Sequence, residues 1–494
     1  MNRSGGVLHL VFSLVAVASC AMAATVQGVV IDEESKSPLA RTRVTLAPLP
    51  GNPAPAVSVL ANERGVYAFS DVQPGWYLIR AMRTGYATAE YGQARPGRPG
   101  MPFEVTGDAP ANETAESRQI VMRHQAAITG TILDDNSIGI AGWPVSLYNA
   151  RAPLRRVAQG TTDDRGNFRI GELDPGAYIV RSGGGGLEDA STLVPTYYKY
   201  GTAVATAEPV RVRLGETQGF VVIHTVEGQL FELTGDVAVP ADFPRNRPIH
   251  LTLITDTGLR PIASVAGPFT AVGVPPGPVE LLAEGEACAG YQKLAVDRNM
   301  FARVDCLPLT PSAVIGAAET ALVARRADLA GPGPEHTLTA GDSLAPGHWE
   351  FTMRPDASHY LVGIGNDGDN SPPRAAIDGW FGVDIGNAPR LRVTLSDKPA
   401  SISGAVTSGG KPVIGAPVYL ERLNPDAPEM PLQSWSGRAD AQGNFVFQSL
   451  ASGSYRLMSG FDIDEEDLAT LNKAIVVILR EGDSINQPLE LLSQ

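Results

Sequence analysis

One segment of the sequence has the spacing of a dinucleotide-binding loop. Residues 363–368 read GIGNDG and match the Gly-x-Gly-x-x-Gly pattern letter for letter, directly after the apolar residues 360–362. That chemistry requires a helix to begin after the glycines, because the helix N-terminus holds the pyrophosphate. Here the chain continues DNSPPRAAIDG, and two adjacent prolines oppose a helix. We therefore expect a loop and no nucleotide cofactor.

Two further patterns are candidates for a metal site. Residues 366–370 offer oxygen ligands for Ca²⁺, but no glutamate stands where a calcium loop ends. His224 and Glu227 match the His-x-x-Glu pair of zinc peptidases, although they lie at the end of an expected strand and the other histidines are scattered. A Gly-x-Ser-x-Gly nucleophile elbow is absent from the sequence. The sequence therefore predicts no catalytic residue, no metal and no cofactor.

An aromatic cluster at residues 195–200 is the best candidate for ligand binding. It reads PTYYKY and contains Tyr197, Tyr198 and Tyr200. Exposed aromatic faces pack on the C–H groups of sugars, so these tyrosines form a candidate carbohydrate platform. The alternative is that they cover the edge of a domain, because the Tyr-Gly pair that ends this segment recurs at residues 91–92. A repeated pair indicates a role in folding, and we favour this second interpretation.

Cys288 and Cys306 are the two cysteines outside the N-terminal segment. They flank residues 289–305, in which residues 297–299 read DRN, a sequence typical of a hairpin turn. Residues at equal distances from such a turn face each other across the ladder, so we expect a disulfide in an oxidising compartment. The alternative is two unpaired core cysteines. A metal site is disfavoured because too few cysteines or histidines lie nearby in the sequence.

The N-terminal segment predicts export. Residues 1–23 contain a basic residue, an apolar stretch and a small-residue ending at Ala23, the pattern of a secretory signal peptide. Residues 17–20 read VASC, which also matches a lipoprotein processing site and would make Cys20 a lipid anchor. We favour the plain signal peptide, because no tether separates Cys20 from the first expected strand. No other segment is long and apolar enough to span a bilayer. The mature chain is expected in the periplasm, in the outer envelope or outside the cell.

One unit of sequence recurs along the chain and must position all of these residues. Its opening strand has a central glycine: Gly28 in VQGVV, Gly130 in ITGTI and Gly404 in ISGAV. A later segment reads TDDRGNF in the second copy, where Asp163 can cap a tight turn and Gly166 can adopt a positive φ. A Pro-Gly-x-aromatic step follows. Apolar residues alternate along these strands, so the strands should form packed pairs of sheets.

These motifs resemble the carboxypeptidase regulatory-like domain. The similarity lies in the glycine-centred strand, a second strand ending Val-x-Leu, the Asp-x-x-Gly-x-Phe turn and the Pro-Gly-x-Tyr step. It covers three units well and two loosely. Asn62 replaces the aspartate in the first unit and Ser452-Gly453 replaces Pro-Gly in the last, and both replacements form turns themselves. The resemblance implies a transthyretin-like, carbohydrate-binding-like β-sandwich similar to collagen-adhesin B-type repeats, usually a non-catalytic module of secreted and outer-envelope proteins.

The predicted fold class is therefore all-β, a tandem array of about five seven-stranded Ig-like or transthyretin-like β-sandwiches. A chain of 494 residues is too long for one core, which agrees with several domains. We expect these domains to form an elongated rod, and the two middle ones to be divergent. The predicted domains span residues 24–123, 124–227, 228–309, 310–398 and 399–494.

The charge distribution limits the partners. The net charge of the chain is −14 and no block of lysine or arginine is present, so the sequence predicts no nucleic-acid partner. The expected function is that of an exported, non-catalytic scaffold or binding and adhesion module, with an unidentified envelope protein or glycan as its partner. A carbohydrate-binding protein is the first alternative. A regulatory companion of a peptidase or of an outer-membrane transporter is the second.

Overall fold

The structure is a computed structural model, and the described residues begin at Ala24. Residues 1–23, which are predicted to form a signal peptide and include Cys20, lie outside the described residues, as does Tyr200. Among the helices of the described residues, none has the length and apolar character to cross a membrane. The described ranges are 24–106, 118–150, 156–183, 193–199, 201–202, 204–240, 248–255, 258–263, 267–309, 313–315, 322–329, 331–339, 342–353, 359–368, 379–386, 390–425, 431–463 and 471–492.

The described residues form five large hydrophobic cores that follow one another along the chain, and each is enclosed by two facing sheets. The chain is all-β, as the sequence predicts. We call the parts of the chain around the successive cores units one to five, while the domain boundaries given above stay a prediction. The five cores draw their buried residues from 24–122, 126–223, 231–306, 322–393 and 400–489.

Unit one shows the layout that the other units vary. Its strands are β1 (Ala24–Asp32), β2 (Arg43–Pro48), β3 (Val57–Leu60), β4 (Val66–Val72), β5 (Gly75–Met82), β6 (Ala89–Glu90), β7 (Phe103–Val105) and β8 (Gln119–Met122). In the smaller sheet, the opening strand β1 lies between β4, which is antiparallel to it, and β8, which is parallel to it. In the larger sheet the order is β3-β2-β5-β6, and β7 also pairs with β5.

Units two and three keep this layout. The strands of unit two are β9 (Ala126–Leu133), β10 (Pro144–Asn149), β11 (Arg156–Thr161), β12 (Asn167–Leu173), β13 (Gly176–Ser182), β14 (Leu193–Val194), β15 (Thr196–Tyr197), β16 (Val210–Val212), β17 (Thr217–His224) and β18 (Val226–Glu227), with a 3-10 turn at Val204–Thr206. Those of unit three are β19 (Phe231–Ala238), β20 (Ile249–Thr255), β21 (Gly258–Ala263), β22 (Gly267–Val274), β23 (Gly277–Gly285), β24 (Cys288–Val296), β25 (Met300–Asp305) and β26 (Leu307–Pro308). Their smaller sheets have the orders β12-β9-β17 and β22-β19-β25.

Unit four departs from the layout, whereas unit five returns to it. The strands of unit four are β27 (Ala313–Ile315), β28 (Leu322–Asp328), β29 (Gly331–Pro332), β30 (His336–Leu338), β31 (Gly347–Met353), β32 (Tyr360–Asn366), β33 (Phe381–Ile385) and β34 (Arg390–Ser396). Those of unit five are β35 (Ala400–Ser408), β36 (Lys411–Pro412), β37 (Pro417–Leu423), β38 (Pro431–Arg438), β39 (Asn444–Leu450), β40 (Gly453–Ser459), β41 (Ile475–Leu479), β42 (Ser484–Asn486) and β43 (Leu489–Glu490). In unit four the closing strand β34 is central and the opening strand β27 lies beside it, whereas in unit five the opening strand β35 is central again.

The predicted turn has the expected chemistry. The Asp163 carboxylate accepts hydrogen bonds from the backbone N–H groups two and four residues later, at 2.9 and 2.8 Å, and these donors hold the pKa of Asp163 below its ordinary value. Gly166 has a φ of 78°. Asn62 in unit one and Asp440 in unit five accept the same pair of backbone hydrogen bonds. The replacement of aspartate by Asn62 therefore leaves the turn intact.

The aromatic residue of the Pro-Gly-x-aromatic step has a second structural role. In four units its side chain donates a hydrogen bond to the backbone carbonyl four residues earlier, at 2.7 to 3.0 Å. Trp349 does so through its indole nitrogen, and the other units use a tyrosine hydroxyl. The four donors are Tyr77, Tyr178, Trp349 and Tyr455. These aromatic residues therefore close the corner between two strands rather than bind a ligand.

The central glycine of the opening strand leaves room for two neighbours. A β-carbon at this position would overlap a backbone oxygen of the closing segment on one side and an aromatic ring of the hairpin strand on the other. This crowding occurs at Gly28, Gly130, Gly235 and Gly404. The sequence pattern marked three of these glycines, and close approach of the backbone is the physical reason for their presence.

Replacing Gly404 by alanine should therefore destabilise unit five. We expect a loss of about 1–3 kcal/mol in the free energy of unfolding, because the methyl group must displace the Gln487 carbonyl or the Phe445 ring. Thermal denaturation of the mature chain measures this loss. Gly365→Ala is the control, because Gly365 also lies in a strand but has no atom within 4 Å of the added methyl group. Equal melting profiles for the two variants would contradict this account of the glycine.

Candidate functional site

Glu90, in the short strand β6 of unit one, is the centre of a charged cluster. Glu90 is only 8% exposed, so its carboxylate needs hydrogen-bond or ionic partners. One carboxylate oxygen accepts two hydrogen bonds from Arg80 of the neighbouring strand β5, at 3.1 and 2.8 Å. The other accepts a hydrogen bond from the Gly100 N–H at 2.8 Å and one from Arg438, which belongs to unit five. Glu90 therefore links the first and last units.

Arg438 ends strand β38 of unit five and points toward unit one. Besides its ion pair with Glu90, its guanidinium donates to the Gly100 carbonyl at 2.9 Å and to the Gly415 carbonyl at 3.0 Å. Burial lowers the pKa of Arg438, and the Glu90 carboxylate opposes that effect. Because an arginine starts from a very high pKa, the Arg438 side chain stays charged.

A second ion pair and apolar contacts extend this interface. Asp462 of unit five accepts two hydrogen bonds from Arg95 of unit one at 2.9 and 2.6 Å. Close to Arg438, the Gly415 backbone lies against Pro102 and Leu49 of unit one. The glycine allows this approach because it carries no β-carbon and has a φ of 62°. We call this set of contacts the terminal-unit interface.

The terminal-unit interface shows that the rod predicted from the sequence is wrong. Glu90 and Arg438 are separated by 348 positions in sequence, and a linear array of five sandwiches would hold them far apart. Successive units also contact each other: Glu280 of unit three accepts a hydrogen bond from the Leu329 N–H at 3.2 Å, and Tyr360 of unit four donates to Glu481 of unit five at 3.2 Å. The chain therefore folds back until its first and last units meet.

No pattern in the sequence relates Glu90 to Arg438. Glu90 lies in the two-residue strand β6 and Arg438 ends β38, and nothing in the order of residues relates two strands more than 300 positions apart. Glu90 directly precedes the Tyr91-Gly92 pair, which drew attention only for its similarity to a later segment. A charged residue at a buried strand position is the one local clue, and it does not identify the partner.

Two of the three tyrosines of the predicted platform, Tyr197 and Tyr198, lie in the described part of the chain. Tyr197 is 8% exposed and packs with Tyr148 and Ile179, so its ring does not present an open face. Tyr198 is half-buried and packs against the core of unit two. Tyr200 lies outside the described residues. Sugar binding by these tyrosines stays a prediction, and the burial of Tyr197 favours the alternative in which they cover the edge of the unit.

Cys288 and Cys306 lie together, but for a reason other than the one predicted. Their sulfurs are joined as a disulfide with the Cα atoms 5.5 Å apart. The expected hairpin is wrong, because β24 pairs with β23 and β26 in one sheet whereas β25 pairs with β19 in the other. The disulfide therefore connects the larger sheet to the end of a strand from the smaller sheet, across the core of unit three.

The motifs that resembled cofactor and metal sites have structural roles. Gly363 and Gly365 lie inside strand β32, so the predicted loop is wrong at these positions. Asp367 follows that strand and forms ion pairs with Arg390 and Arg392. His224 is the last residue of β17. Within the described ranges, no three histidine, cysteine or acidic side chains are grouped as metal ligands would be.

Comparison with known proteins identifies the first unit. The family model for the carboxypeptidase regulatory-like domain matches residues 25–107. Unit one is a carboxypeptidase regulatory-like domain. This confirms the resemblance that the sequence motifs indicated. A regulatory-like domain thus supplies Glu90, Arg95 and Pro102 to the terminal-unit interface.

Several solved structures share similarity with larger parts of the chain. No curated protein of similar sequence was found. The TIE protein of Bacillus anthracis is 12% identical with a TM-score of 0.17, and the match covers 92% of this chain and 68% of that chain. The minor pilin GBS52 of Streptococcus agalactiae is 14% identical with a TM-score of 0.23, covering 41% of this chain and 96% of that chain. Two B repeat units of the collagen binding protein of Staphylococcus aureus are 9% identical with a TM-score of 0.14, covering 88% and 93% respectively. Scores this low carry no argument about function.

Removing one partner of the buried pair should open the terminal-unit interface. We expect Glu90→Gln or Arg438→Met to weaken the contact by about 3 kcal/mol, because each leaves the other charge buried without its counterion. Small-angle scattering of the mature chain should then show a larger radius of gyration. The double variant should lose less contact free energy than the sum of the losses in the two single variants, because the two residues interact directly.

Arg456→Met is the matched control for this prediction. Arg456 forms an equally buried ion pair with Glu421, but both residues belong to unit five. Its loss should lower the stability of that unit and leave the radius of gyration unchanged. An unchanged radius in the Glu90 and Arg438 variants would show that the terminal-unit interface does not depend on this ion pair.

The disulfide should contribute substantially to the stability of unit three. The bond closes a loop of 18 residues, and a crosslink across a loop of this length raises the free energy of unfolding by about 3 kcal/mol. We expect Cys288→Ala with Cys306→Ala to lower the melting temperature of this unit, and a reductant to have the same effect on the wild-type chain. Thermal unfolding followed with and without reductant measures both. A reductant that leaves the wild-type profile unchanged would contradict the prediction.

Proposed function

We propose that this protein is an exported, non-catalytic scaffold of the cell envelope that holds binding surfaces on a folded-back array of β-sandwich units. The terminal-unit interface carries this proposal. A chain that joins its first and last units through a buried ion pair fixes the relative positions of its surface loops. Loops from several units can then form one binding surface. Binding to such a surface is favoured because loops that are already fixed lose less conformational entropy.

The charged side chains of the described units support a structural rather than a catalytic role. Asp163 and Asp440 close turns, and Glu90 links two units. Glu421 is paired with Arg456 across neighbouring strands. Asp384 interacts with His348 at 3.0 Å near the surface of unit four, and the pKa of Asp384 is lowered although burial raises it, because His348 and Lys293 stabilise its charge. Each of these groups already has a partner within the fold.

Export is supported by the sequence and by the pairing of the cysteines. The N-terminal residues 1–23 have the pattern of a signal peptide, and Cys288 and Cys306 are placed to form a bond that persists in oxidising compartments. We propose cleavage after Ala23, which leaves strand β1 beginning at the new N-terminus. Lipid attachment at Cys20 is the alternative.

Mass spectrometry of the protein from the native envelope tests export and anchoring together. We expect a mature N-terminus at Ala24 and no lipid label. If a palmitate analogue labels the wild-type chain but not Cys20→Ser, the chain is anchored through a lipid on Cys20 and is not released. An uncleaved chain that remains in the cytoplasm would refute export.

Crosslinking in intact envelopes tests the scaffold role. The wild-type chain and Arg456→Met should capture the same partner proteins, whereas Glu90→Gln should lose those that span several units. Identical partners for all three chains would count against a role for the folded-back arrangement. Turnover of a substrate by the purified chain would overturn the non-catalytic assignment.

A further inference from the structure

An open cleft of about 620 Å³ lies on the surface of unit one and is lined by three arginines. Arg41, Arg43 and Arg83 share it with two threonines, Tyr86 and the apolar side chains of Leu60 and Met82. Arg43 is central, because its strand pairs it with Leu60 on one side and Met82 on the other. Leu60 is 64% exposed and Met82 is 49% exposed, so apolar surface flanks the charge.

The other units show that the fold does not require arginine at these places. Strand register and turn hydrogen bonds align β2 with β10 of unit two and β37 of unit five. Arg41 corresponds to Gly142 in unit two and Gly415 in unit five. Arg43 corresponds to Pro144 in unit two and Pro417 in unit five. Arg83 corresponds to Phe461 in unit five. Unit one alone of these three has a cluster of positive charges here.

Arg41 adopts a backbone conformation that favours glycine. Its φ is 57°, and the equivalent glycines have φ values of 65° and 62°. A non-glycine residue in this region is strained, and such strain persists only where the surrounding structure imposes the conformation. The turn is fixed locally, since the Arg41 N–H donates to the Ala61 carbonyl at 2.8 Å and Thr42 is fully buried. The arginine side chain is therefore directed by a rigid turn.

The three guanidinium groups are weakly neutralised within the described residues. Arg41 is 3.9 Å from Glu63, and both side chains are 84% exposed, so this pair contributes little. Arg83 donates to the Ala40 carbonyl, which is neutral. No side-chain hydrogen bond of Arg43 is present in the described part of the chain. The cleft thus collects positive charge on a protein whose net charge is −14.

The equivalent surface of unit five is already a docking surface. Arg438, which is equivalent to Leu60, binds the Glu90 carboxylate and the Gly100 carbonyl of unit one. Gly415, equivalent to Arg41, lies against Pro102. This surface of a β-sandwich unit therefore binds a carboxylate and one backbone carbonyl of another unit, with apolar contacts beside them.

We propose that the arginine cleft of unit one binds a carboxylate-bearing segment of a partner protein, in the way that unit five binds Glu90 of unit one. The planar guanidinium groups provide paired donors for carboxylates. Leu60 and Met82 add apolar contact, so the preferred segment combines acidic and apolar residues. Equivalent surfaces of two units are thereby used in different ways. The surface of unit five binds unit one, and that of unit one binds a partner protein.

Fluorescence anisotropy with the mature chain tests this proposal. The probe is a labelled peptide that alternates glutamate and leucine, and its glutamine counterpart is the comparison. We expect the glutamate peptide to bind, the glutamine peptide to bind at least about tenfold more weakly, and salt to weaken binding. Arg43→Gln with Arg83→Gln should reduce affinity by at least about tenfold, since two charge-assisted contacts are lost. Addition of Arg41→Gly should abolish the remaining binding.

Two controls separate the cleft from general charge and from misfolding. The chain with Arg169→Gln, Arg298→Gln and Arg303→Gln loses three exposed arginines from units two and three and should bind as the wild type does. Arg41→Gly should keep or raise the melting temperature, because glycine fits the positive φ. Equal binding by the triple cleft variant and the wild type would overturn the site. If the chain binds alginate, an acidic polysaccharide, but not the glutamate peptide, the partner is not a protein and the proposal is wrong. The proposal is also wrong if no peptide binds and the wild-type chain self-associates through the cleft, so that the cleft variant no longer self-associates.

Discussion

The structure depends on the close approach of three groups at one position of the opening strand. A glycine there allows the carbonyl of the closing segment and an aromatic ring of the hairpin strand to meet across the backbone. The parallel closing strand connects the end of each unit to its beginning, while the ring fills the core between the sheets. This contact occurs in four of the five units and is local to each of them, so the unit can be repeated and each of these copies keeps its own core.

A fold specified by so few positions leaves most of its surface free to vary between copies. The turn residues, the glycine and the corner aromatic residue recur because backbone geometry requires them. The turn before β2 and its equivalents keeps its backbone conformation, but the side chains that it presents differ from unit to unit. Unit five has Gly415 and Pro417 there and packs on unit one, whereas unit one has Arg41 and Arg43. In unit five, this variable turn lies in the contact with unit one.

Sequence reasoning recovered the features that local geometry determines and missed those that depend on tertiary arrangement. Turns with Asp163 and Gly166, the alternation in strands and the all-β class follow from short-range patterns. The pairing of Cys288 with Cys306 was expected from a hairpin, yet the chain crosses between sheets there, and no local signal separates the two paths. The folded-back arrangement depends on Glu90 meeting Arg438, which no pattern within a strand encodes.

The buried ion pair also explains how such an arrangement can be specific. Two apolar surfaces would bring sandwich units together in many orientations, whereas a desolvated carboxylate is satisfied only where its donors converge. Glu90 receives hydrogen bonds from Arg80, Gly100 and Arg438, and the first two position it before unit five arrives. Arg438 is held by the Gly415 carbonyl of its own unit and must reach the Gly100 carbonyl of unit one as well as the carboxylate. The pair therefore selects one orientation of the terminal units, and the contacts of Leu49 and Pro102 with Gly415 stabilise it.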